Sequence, residues 1–324
     1  MKIVHCANFS DLKYGEFFYS IDRKISNGLI RNDHFVFDFS HRDIARNLNI
    51  FKTKKLGARK MNQKLIQCIE NIKPDLLLLG HSELITLETI KEIKKLFPEI
   101  KIAMWWVDPF VNISHINERL PYLEAFFATT SPEYFSRFFT NKTNFYYLPN
   151  ICDSSIEAGV SFTKRYFKHD LIFIGRRDKN RNNLIENLIK LKDVKFKLYG
   201  DSKDNMIFGE DYLDLLENSK MAINFSRYND IPLYSSDRII QLLAQGLLVF
   251  SPKIPEFNTL FTEEEVVYFD SFKELNEKIN YYNSNDSERI KIAKNGWKRA
   301  HKEYNSTKIT ADIVELIFKG KRFV

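Results

Sequence analysis

Residues 235–251, SSDRIIQLLAQGLLVFS, combine the signals of a helix and of a strand in one short stretch. Ser-Ser-Asp at its start is a typical helix N-cap sequence, and the apolar residues at 239–244 recur at helical spacing. Gly246 is the residue type that most often ends a helix, and residues 247–250 form a continuous apolar run typical of a buried parallel strand. The stretch therefore predicts a helix that passes through glycine directly into a core strand, which is half of a Rossmann-type unit.

The predicted start of this helix is suited to bind an anion. A helix N-terminus presents backbone N–H groups that lack partners within the helix, and Arg238 lies in the first turn. Both features favour a phosphate group. Helix–glycine–strand joints occur throughout α/β proteins, so a purely structural role, with Arg238 in a salt bridge, is the alternative.

Apolar runs alternate with amphipathic segments along the rest of the chain, which predicts an α/β protein with parallel sheets. Residues 150–168 show no clear period, and we interpret them as a linker. We expect two Rossmann-like domains that face each other across a cleft. Their predicted bounds are 1–155 and 156–304, with a C-terminal helix in 305–324 that packs back on the first domain.

Composition limits the class of protein. The 324 residues are 44% hydrophobic and contain no apolar run long enough to span a membrane, which is typical of a soluble protein. Cys6, Cys68 and Cys152 show neither metal-binding nor disulfide spacing, so we expect a reducing, cytoplasmic location. The net charge of +7 indicates a Lys-rich solvated surface, an anionic ligand or an anionic membrane face. No nucleic-acid-binding motif is present, and we expect no nucleic-acid partner.

Four segments of the second half occur in the order found in a known family. They are DLIFIGRRDKNRNNLI (170–185), KLYGD (197–201), NSKMAINFSR (218–227) and the stretch 235–251. These segments resemble the nucleotide-binding half of GT-B glycosyltransferases, in particular the CgeB-like glycosyl transferases group 1 proteins. The resemblance covers residues 170–304 and implies a GT-B fold. It also implies sugar transfer from a nucleotide-sugar donor, without a cofactor and without a bound metal.

The chain departs from this family at two positions. Retaining GT-B families carry a Glu-x7-Glu pair here, and its two positions fall on Leu233 and Gln241. Gln241 can still hydrogen-bond a ribose hydroxyl as a neutral group, whereas Leu233 cannot replace a carboxylate. The chain has no Asp-x-Asp, so metal-dependent GT-A enzymes find no support.

The resemblance implies that basic side chains neutralise the diphosphate of the donor. The loop after the first strand of the second half offers four cations for this, Arg176, Arg177, Lys179 and Arg181. We expect Arg176, Arg177 and Lys179 to bind the diphosphate, together with Arg238. A solvated loop is the alternative for this charge run. We further expect Tyr199 and Gly200 to flank the base or ribose. The remaining candidate, Gly15, lies in the first loop of the chain and would let the backbone approach the ligand.

An inverting enzyme of this kind also needs a general base for the acceptor hydroxyl. Asp108, which follows the strand-forming MWWV, is the first candidate, and His81 is the second. Glu83 and His115 are further choices, although each of these residue types is often a cap or a satisfied polar group.

The first hypothesis is therefore a cytoplasmic glycosyltransferase that acts on a glycan or lipid-linked acceptor in surface polysaccharide or lipopolysaccharide synthesis. Over residues 1–150 there are 21 Lys and Arg against 16 Asp and Glu, which is consistent with peripheral contact with a membrane. The alternatives are a non-catalytic GT-B-like module that binds a sugar nucleotide or a protein, and a GT-B sugar-nucleotide epimerase.

Overall fold

The computed structural model describes residues 1–110, 113–141 and 143–320, which divide into two compact units. The N-terminal unit comprises Met1–Pro149 together with the segment that begins at Ser306, and the C-terminal unit is Asn150–Asn305. The sequence placed the first boundary after residue 155, six residues further along the chain.

The interpretation of residues 150–168 as a linker was wrong, because this segment packs into the C-terminal unit. Cys152 is fully buried and forms an isolated parallel bridge with Asn305. The backbone N–H of Ser161 donates to the carbonyl of Gln245 at 3.0 Å. The segment therefore makes long-range contacts that leave no local periodicity in the sequence.

The N-terminal unit has a fully parallel six-stranded sheet in the order β2-β1-β3-β4-β5-β6. Its strands are β1 (Lys2–Ala7), β2 (Phe35–Ser40), β3 (Leu76–Leu79), β4 (Lys101–Trp106), β5 (Ala125–Ala128) and β6 (Asn144–Tyr147). Its first helices are α1 (Ile21–Arg31), α2 (His41–Asn47), α3 (Lys54–Ile72), α4 (Leu87–Leu96), α5 (Ser114–Asn117) and α6 (Pro132–Phe135).

Local sequence explains most of these elements. The four leucines of β3 are all fully buried, as expected for a central strand covered on both faces. Helix α1 begins at Ile21, because the side chain of Ser20 accepts the N–H of Arg23 and caps the helix there. The short helix α2 was not predicted, since its seven residues are too few to show a periodic pattern.

The C-terminal unit has a fully parallel five-stranded sheet in the order β11-β10-β9-β7-β8. Its strands are β7 (His169–Ile174), β8 (Phe196–Tyr199), β9 (Ser219–Ile223), β10 (Leu248–Pro252) and β11 (Val267–Phe269). Its helices are α7 (Asn182–Ile189), α8 (Gly209–Glu217), α9 (Arg238–Ala244), α10 (Phe272–Ser284) and α11 (Asp286–Glu303).

The last helix, α12 (Ser306–Lys319), belongs to the N-terminal unit and packs on α1. The two helices approach so closely that a Cβ built on Gly28 would lie 2.2 Å from the carbonyl oxygen of Ser306. The side chain of Asn32 donates to the carbonyl of Thr307 at 2.8 Å. None of the helices in the described residues has the length and apolar composition needed to traverse a bilayer.

The stretch 235–251 forms the predicted helix, glycine and strand as α9, Gly246 and β10. Gly246 has a φ of 81°, the left-handed conformation that ends helices and that favours glycine. The predicted N-cap was wrong. Asp237 precedes the helix in a right-handed helical conformation and makes no capping hydrogen bond, because its carboxylate accepts the side-chain amide of Gln241 at 2.7 Å. Helix α9 has seven residues, and anion binding at its start stays a prediction.

Each sheet has one point where the order of strands reverses, between β1 and β3 in the N-terminal unit and between β7 and β9 in the C-terminal unit. In open parallel sheets, ligands bind beyond the carboxyl ends of the strands at such a reversal point. The carboxyl ends of β1 and β3, and those of β7 and β9, are therefore where this fold favours a ligand site.

A chain of buried hydrogen bonds crosses the N-terminal unit from β4 to β2. The indole N–H of Trp105 donates to Nε2 of His5 at 3.1 Å, so the proton of His5 lies on Nδ1, which faces Oγ of Ser26 at 2.8 Å. Ser26 in turn donates to Asp38 at 2.5 Å, and Asp38 accepts Arg23 at 2.6 Å. Burial and the charge of Arg23 lower the pKa of His5 to about 3.

We predict that this histidine makes folding stability depend on pH. Because the folded pKa of His5 lies below its ordinary value, the unfolded chain takes up a proton on acidification that the folded chain does not. Between pH 6 and 4, the unfolding free energy of the wild type should fall with decreasing pH more steeply than that of His5→Gln. The difference in slope should be about 1.4 kcal/mol per pH unit. Urea unfolding at several pH values measures this difference.

Burial raises the pKa of Asp22 to about 6, so Asp22 changes the unfolding free energy with pH in the opposite direction. Asp22 is present in both proteins, so its contribution cancels in the difference between them. His34→Gln provides a control, since His34 is only partly buried and should change the slope less. Equal slopes for the wild type and His5→Gln would contradict the prediction.

Candidate functional site

Arg238 lies at the reversal point of the C-terminal sheet. Its Nη1 donates to the carbonyl of Ile174, the last residue of β7, at 2.6 Å, and its Nη2 donates to the carbonyl of Phe225, just beyond β9, at 2.8 Å. Gly175 leaves room for this contact, because a Cβ built there would lie 3.2 Å from Nη1 of Arg238. The guanidinium therefore joins the carboxyl ends of two adjacent strands, and three of its five N–H groups are not used by these bonds.

Arg181 lies on the same aromatic ring. The guanidinium carbon of Arg238 is 5.0 Å from the ring centroid of Phe173, and that of Arg181 is 6.0 Å from it. Arg181 is only 8% exposed, donates to the carbonyl of Arg176 at 3.2 Å and lies 3.7 Å from a carboxylate oxygen of Asp178. We call Arg181 and Arg238 the arginine pair.

Both members of the arginine pair have a buried Nε without a hydrogen-bond partner among the described residues. Burial and the neighbouring charge of Arg181 lower the pKa of Arg238 to about 9, so it is still protonated at pH 7. Burial also lowers the pKa of Arg181. Two like charges, one buried and one half-buried, destabilise each other when donors are unused, and an anion placed between them would relieve this repulsion.

The three predicted phosphate-binding residues Arg176, Arg177 and Lys179 are all exposed. Nε of Arg177 lies 3.4 Å from the carboxylate of Asp201. The arginine pair is therefore held by more contacts than Arg176, Arg177 and Lys179, and a role for these three exposed residues stays a prediction. Arg181 belongs to the same charge run, but its burial against the phenyl ring of Phe173 left no sign in the sequence.

Tyr199 and Gly200 end β8, next to the start of the loop that carries the arginine pair. The N–H of Gly175 donates to the carbonyl of Tyr199 at 2.9 Å. Gly200 has a φ of 78°, and a Cβ built on it would lie 3.4 Å from the nitrogen of Gly175. Glycine at this position thus allows two strand ends to approach closely, and contact with a base or ribose stays a prediction.

Gln241 is 7% exposed and uses both ends of its amide within the protein. Its oxygen accepts the hydroxyl of Tyr212 at 2.6 Å, and its nitrogen donates to Asp237 at 2.7 Å. Gln241 therefore positions the residue that precedes Arg238, and its predicted contact with a ribose would require exchange of one of these bonds. Leu233 has a left-handed φ of 59°, which is unfavourable for a branched side chain.

His81 and Asp108 come together at the ends of the adjacent strands β3 and β4. Nε2 of His81 accepts the backbone N–H of Val107 at 3.1 Å, so its proton lies on Nδ1, which is 3.4 Å from a carboxylate oxygen of Asp108. The imidazole is stacked on the indole of Trp106 at 4.1 Å, and burial lowers its pKa. A neutral, fixed His81 thus orients the carboxylate of Asp108, whose side chain is 67% exposed.

Glu83, a further candidate base, is held as an anion. Burial acts to raise its pKa, but hydrogen bonds from His41, Arg42 and Lys54 outweigh burial and hold the pKa well below its usual range. Arg42 binds the carboxylate with two N–H groups at 2.8 and 3.0 Å. A carboxylate that accepts hydrogen bonds from Arg42, Lys54 and His41 is a poor proton acceptor, so Glu83 serves structure rather than base catalysis.

The two remaining candidates are Gly15 and His115. Gly15 has a φ of 97° in the loop between β1 and α1, and no heavy atom lies within 4 Å of a Cβ built on it, so it has the backbone freedom that was expected. His115 lies in α5, with its ring 5.8 Å from that of Trp106. Among the described residues, no group of three or more His, Cys, Asp or Glu side chains is arranged to hold a metal ion.

Comparison with known proteins identifies a family domain and the fold. Residues 176–315 match a family model described as glycosyl transferase-like. The sucrose-phosphate synthase from Thermosynechococcus elongatus is 12% identical, with a TM-score of 0.68 over 99% of this chain and 100% of that one. HepE from Anabaena, in complex with UDP and glucose, is 14% identical, with a TM-score of 0.62 over 98% of this chain and 100% of that one.

An α-glucosyltransferase in complex with UDP-glucose and DNA containing an abasic site is 12% identical, with a TM-score of 0.67 over 98% of this chain and 99% of that one. No curated protein sequence matches this chain significantly. At these identities the structural likeness establishes the fold, which is GT-B. The family match identifies the glycosyltransferase domain in residues 176–315.

The chain therefore has a GT-B fold with a glycosyltransferase domain in residues 176–315, and the expectations of a GT-B fold and of a glycosyltransferase are confirmed. The CgeB-like subtype stays a prediction.

We predict that pyrophosphate binds at the arginine pair. It should raise the melting temperature of the wild type, and Arg181→Gln or Arg238→Gln should weaken its binding roughly 10-fold, because each removes a charge-assisted hydrogen-bond donor. Arg289→Gln is a matched control, since Arg289 is also buried and lies 5.1 Å from a ring, that of Phe167. Thermal shift with increasing pyrophosphate gives the affinities.

The control should keep the wild-type shift. If Arg176→Gln abolishes the shift while the arginine pair can be changed without effect, the exposed loop is the anion site and the prediction is wrong.

Proposed function

We propose that this glycosyltransferase moves a sugar from a nucleotide-sugar donor to a hydroxyl of a glycan or lipid-linked acceptor, without a metal ion. The observation that carries the proposal is the arginine pair at the reversal point of the C-terminal sheet. It offers positive charge and unused N–H donors where this fold class binds its ligands.

The arginine pair supplies the electrostatic part of the reaction. Departure of a nucleoside diphosphate builds negative charge on the leaving group, and guanidinium groups fixed in a partly buried site stabilise that charge without having to reorganise. Arg238 is held in place by two backbone carbonyls, and Arg181 by a carbonyl and the carboxylate of Asp178. HepE and the α-glucosyltransferase contain UDP or UDP-glucose, which makes uridine nucleotides the first donors to test.

Asp108 supplies the general base. Its carboxylate is exposed and can reach an acceptor hydroxyl, whereas the carboxylate of Glu83 is engaged by Arg42, Lys54 and His41. His81 is the positioning residue for Asp108, because the N–H of Val107 and the stack on Trp106 fix its ring so that Nδ1–H faces the carboxylate.

The proposal also includes the cellular location of the reaction. Surface polysaccharides and lipopolysaccharides are assembled on lipid-linked acceptors, and the net positive charge of residues 1–150 supports contact with an anionic membrane face. We therefore propose a cytoplasmic enzyme that works peripherally at that face.

We predict that one of UDP, GDP and CMP binds to the full chain in isothermal titration calorimetry and that EDTA leaves the binding unchanged. The positive charge of the arginine pair should replace a metal ion at the diphosphate. Absence of heat with all three nucleotides would contradict the proposed function. Binding without turnover of any sugar nucleotide would favour the binding module, and conversion of the donor sugar without an acceptor would favour the epimerase.

We predict that Asp108→Asn lowers the kcat of donor hydrolysis roughly 100- to 10,000-fold and leaves nucleotide affinity unchanged. The substrate is UDP-glucose, or a sugar nucleotide with the base of whichever nucleotide binds in the titration. His81→Phe keeps a ring against Trp106 but removes Nδ1–H, and it should lower kcat less than Asp108→Asn does. Asp33→Asn is the control, because Asp33 is also an exposed carboxylate of the N-terminal unit. Loss of nucleotide binding in Asp108→Asn would show that Asp108 is not the base.

A further inference from the structure

A short loop of the N-terminal unit presents large apolar side chains to solvent. Ile50 is 87% exposed and Phe51 is 69% exposed in the connection between α2 and α3, and Leu56 in the first turn of α3 is 62% exposed. Single exposed apolar residues are common, but three within seven positions are a feature of interaction surfaces. We propose that residues 46–64, the docking segment, bind the surface of an anionic phospholipid bilayer.

The loop is held in one conformation by Asn49. Its side-chain amide donates to the carbonyls of Ala45 at 2.8 Å and of Thr53 at 2.7 Å, and its oxygen accepts the N–H of Thr53 at 3.2 Å. Gly57 lets α3 pack directly on α2, since a Cβ built there would lie 1.7 Å from the carbonyl oxygen of Ala45. Ile50 and Phe51 are thus presented by a closed loop on a packed helix pair.

The charge of the docking segment complements an anionic surface. Between Asp43 and Glu70 the chain has seven Lys and Arg and no acidic residue. The other 14 basic residues of 1–150 face 16 acidic ones, so this one segment gives the N-terminal half its positive charge. Each Lys or Arg near an anionic bilayer strengthens binding about fivefold.

These charges are unfavourable for the isolated helix. Helix α3 begins with lysines and has no acidic residue in its first turn, although the helix dipole favours anions there. Lys55 and Arg59, and likewise Lys60 and Lys64, are like charges four residues apart. Lys55, Arg59 and Lys60 make no ion pair with any of the described residues. An anionic surface would offset both repulsions.

The combination of features favours a lipid over a nucleic acid. A bilayer interface accepts aliphatic and aromatic side chains into its apolar boundary while Lys and Arg remain at the headgroups. Nucleic acid offers phosphates and base faces but no place for Ile50 and Leu56. This inference rests on the proposed peripheral membrane location, and it does not depend on nucleotide binding by the C-terminal unit.

The test is co-sedimentation of the full chain with phosphatidylcholine vesicles that contain or lack phosphatidylglycerol. One variant removes the apolar side chains by the double substitution Ile50→Ser and Phe51→Ser. A second variant removes the charges by the triple substitution Lys55→Gln, Arg59→Gln and Lys60→Gln. The matched controls make the same changes elsewhere, at exposed residues of the C-terminal unit. The apolar control is the double substitution Tyr166→Ser and Ile189→Ser. The charge control is the triple substitution Lys190→Gln, Lys192→Gln and Lys195→Gln.

The wild type should bind the vesicles that contain phosphatidylglycerol, and salt should weaken this binding. Loss of the three charges should weaken it at least 10-fold, loss of the two apolar side chains should also weaken it, and both controls should bind like the wild type. Each variant must keep the wild-type melting temperature and nucleotide titration, which separates this test from that of the proposed function.

Three results would overturn the proposal. The wild type could fail to prefer anionic vesicles, or the controls could lose as much binding as the variants in the docking segment. The third is that a DNA or RNA oligonucleotide binds at the docking segment while the vesicles do not, which would make the segment a nucleic-acid surface.

Discussion

The placement of two guanidinium groups on one phenyl ring, at the point where strand order reverses, is the constraint on which the C-terminal unit depends. Gly175 leaves room for Arg238 at the ends of β7 and β9, and Arg181 donates back to the carbonyl of Arg176 in the loop after β7 while it lies near the ring of Phe173. The resulting positive charge is unfavourable in the protein alone. It is therefore best understood as part of a site that an anion completes.

In the N-terminal unit, the surroundings of two carboxylates, Glu83 and Asp108, decide their chemistry. Glu83 accepts hydrogen bonds from Arg42, Lys54 and His41, whereas Asp108 is exposed and lies beside His81. Two carboxylates on neighbouring loops thus have different chemistry, because one is surrounded by cations and the other faces solvent. The stack of His81 on Trp106 connects the orientation of Asp108 to the core of the sheet.

Sequence reasoning located the loops that carry the candidate site but ranked some side chains differently from the structure. It identified Asp108 and His81 separately, and only the parallel pairing of β3 with β4 shows that they are in contact. It favoured exposed cations over Arg181, because a charge run in a sequence does not reveal which member folds inward. It expected Gln241 to meet a ribose, whereas the structure engages its amide with Tyr212 and Asp237.

The sequence by itself determined the alternation of strands and helices, the helix–glycine–strand joint at 235–251 and the resemblance to GT-B glycosyltransferases. These depend on local periodicity and on the backbone freedom of glycine, which neighbouring residues specify. Only the tertiary structure decided which polar side chains meet, that residues 150–168 pack into the C-terminal unit and that Arg238 and Arg181 share one ring. Those facts depend on contacts between residues distant in the chain, and such contacts leave no periodic trace in a single sequence.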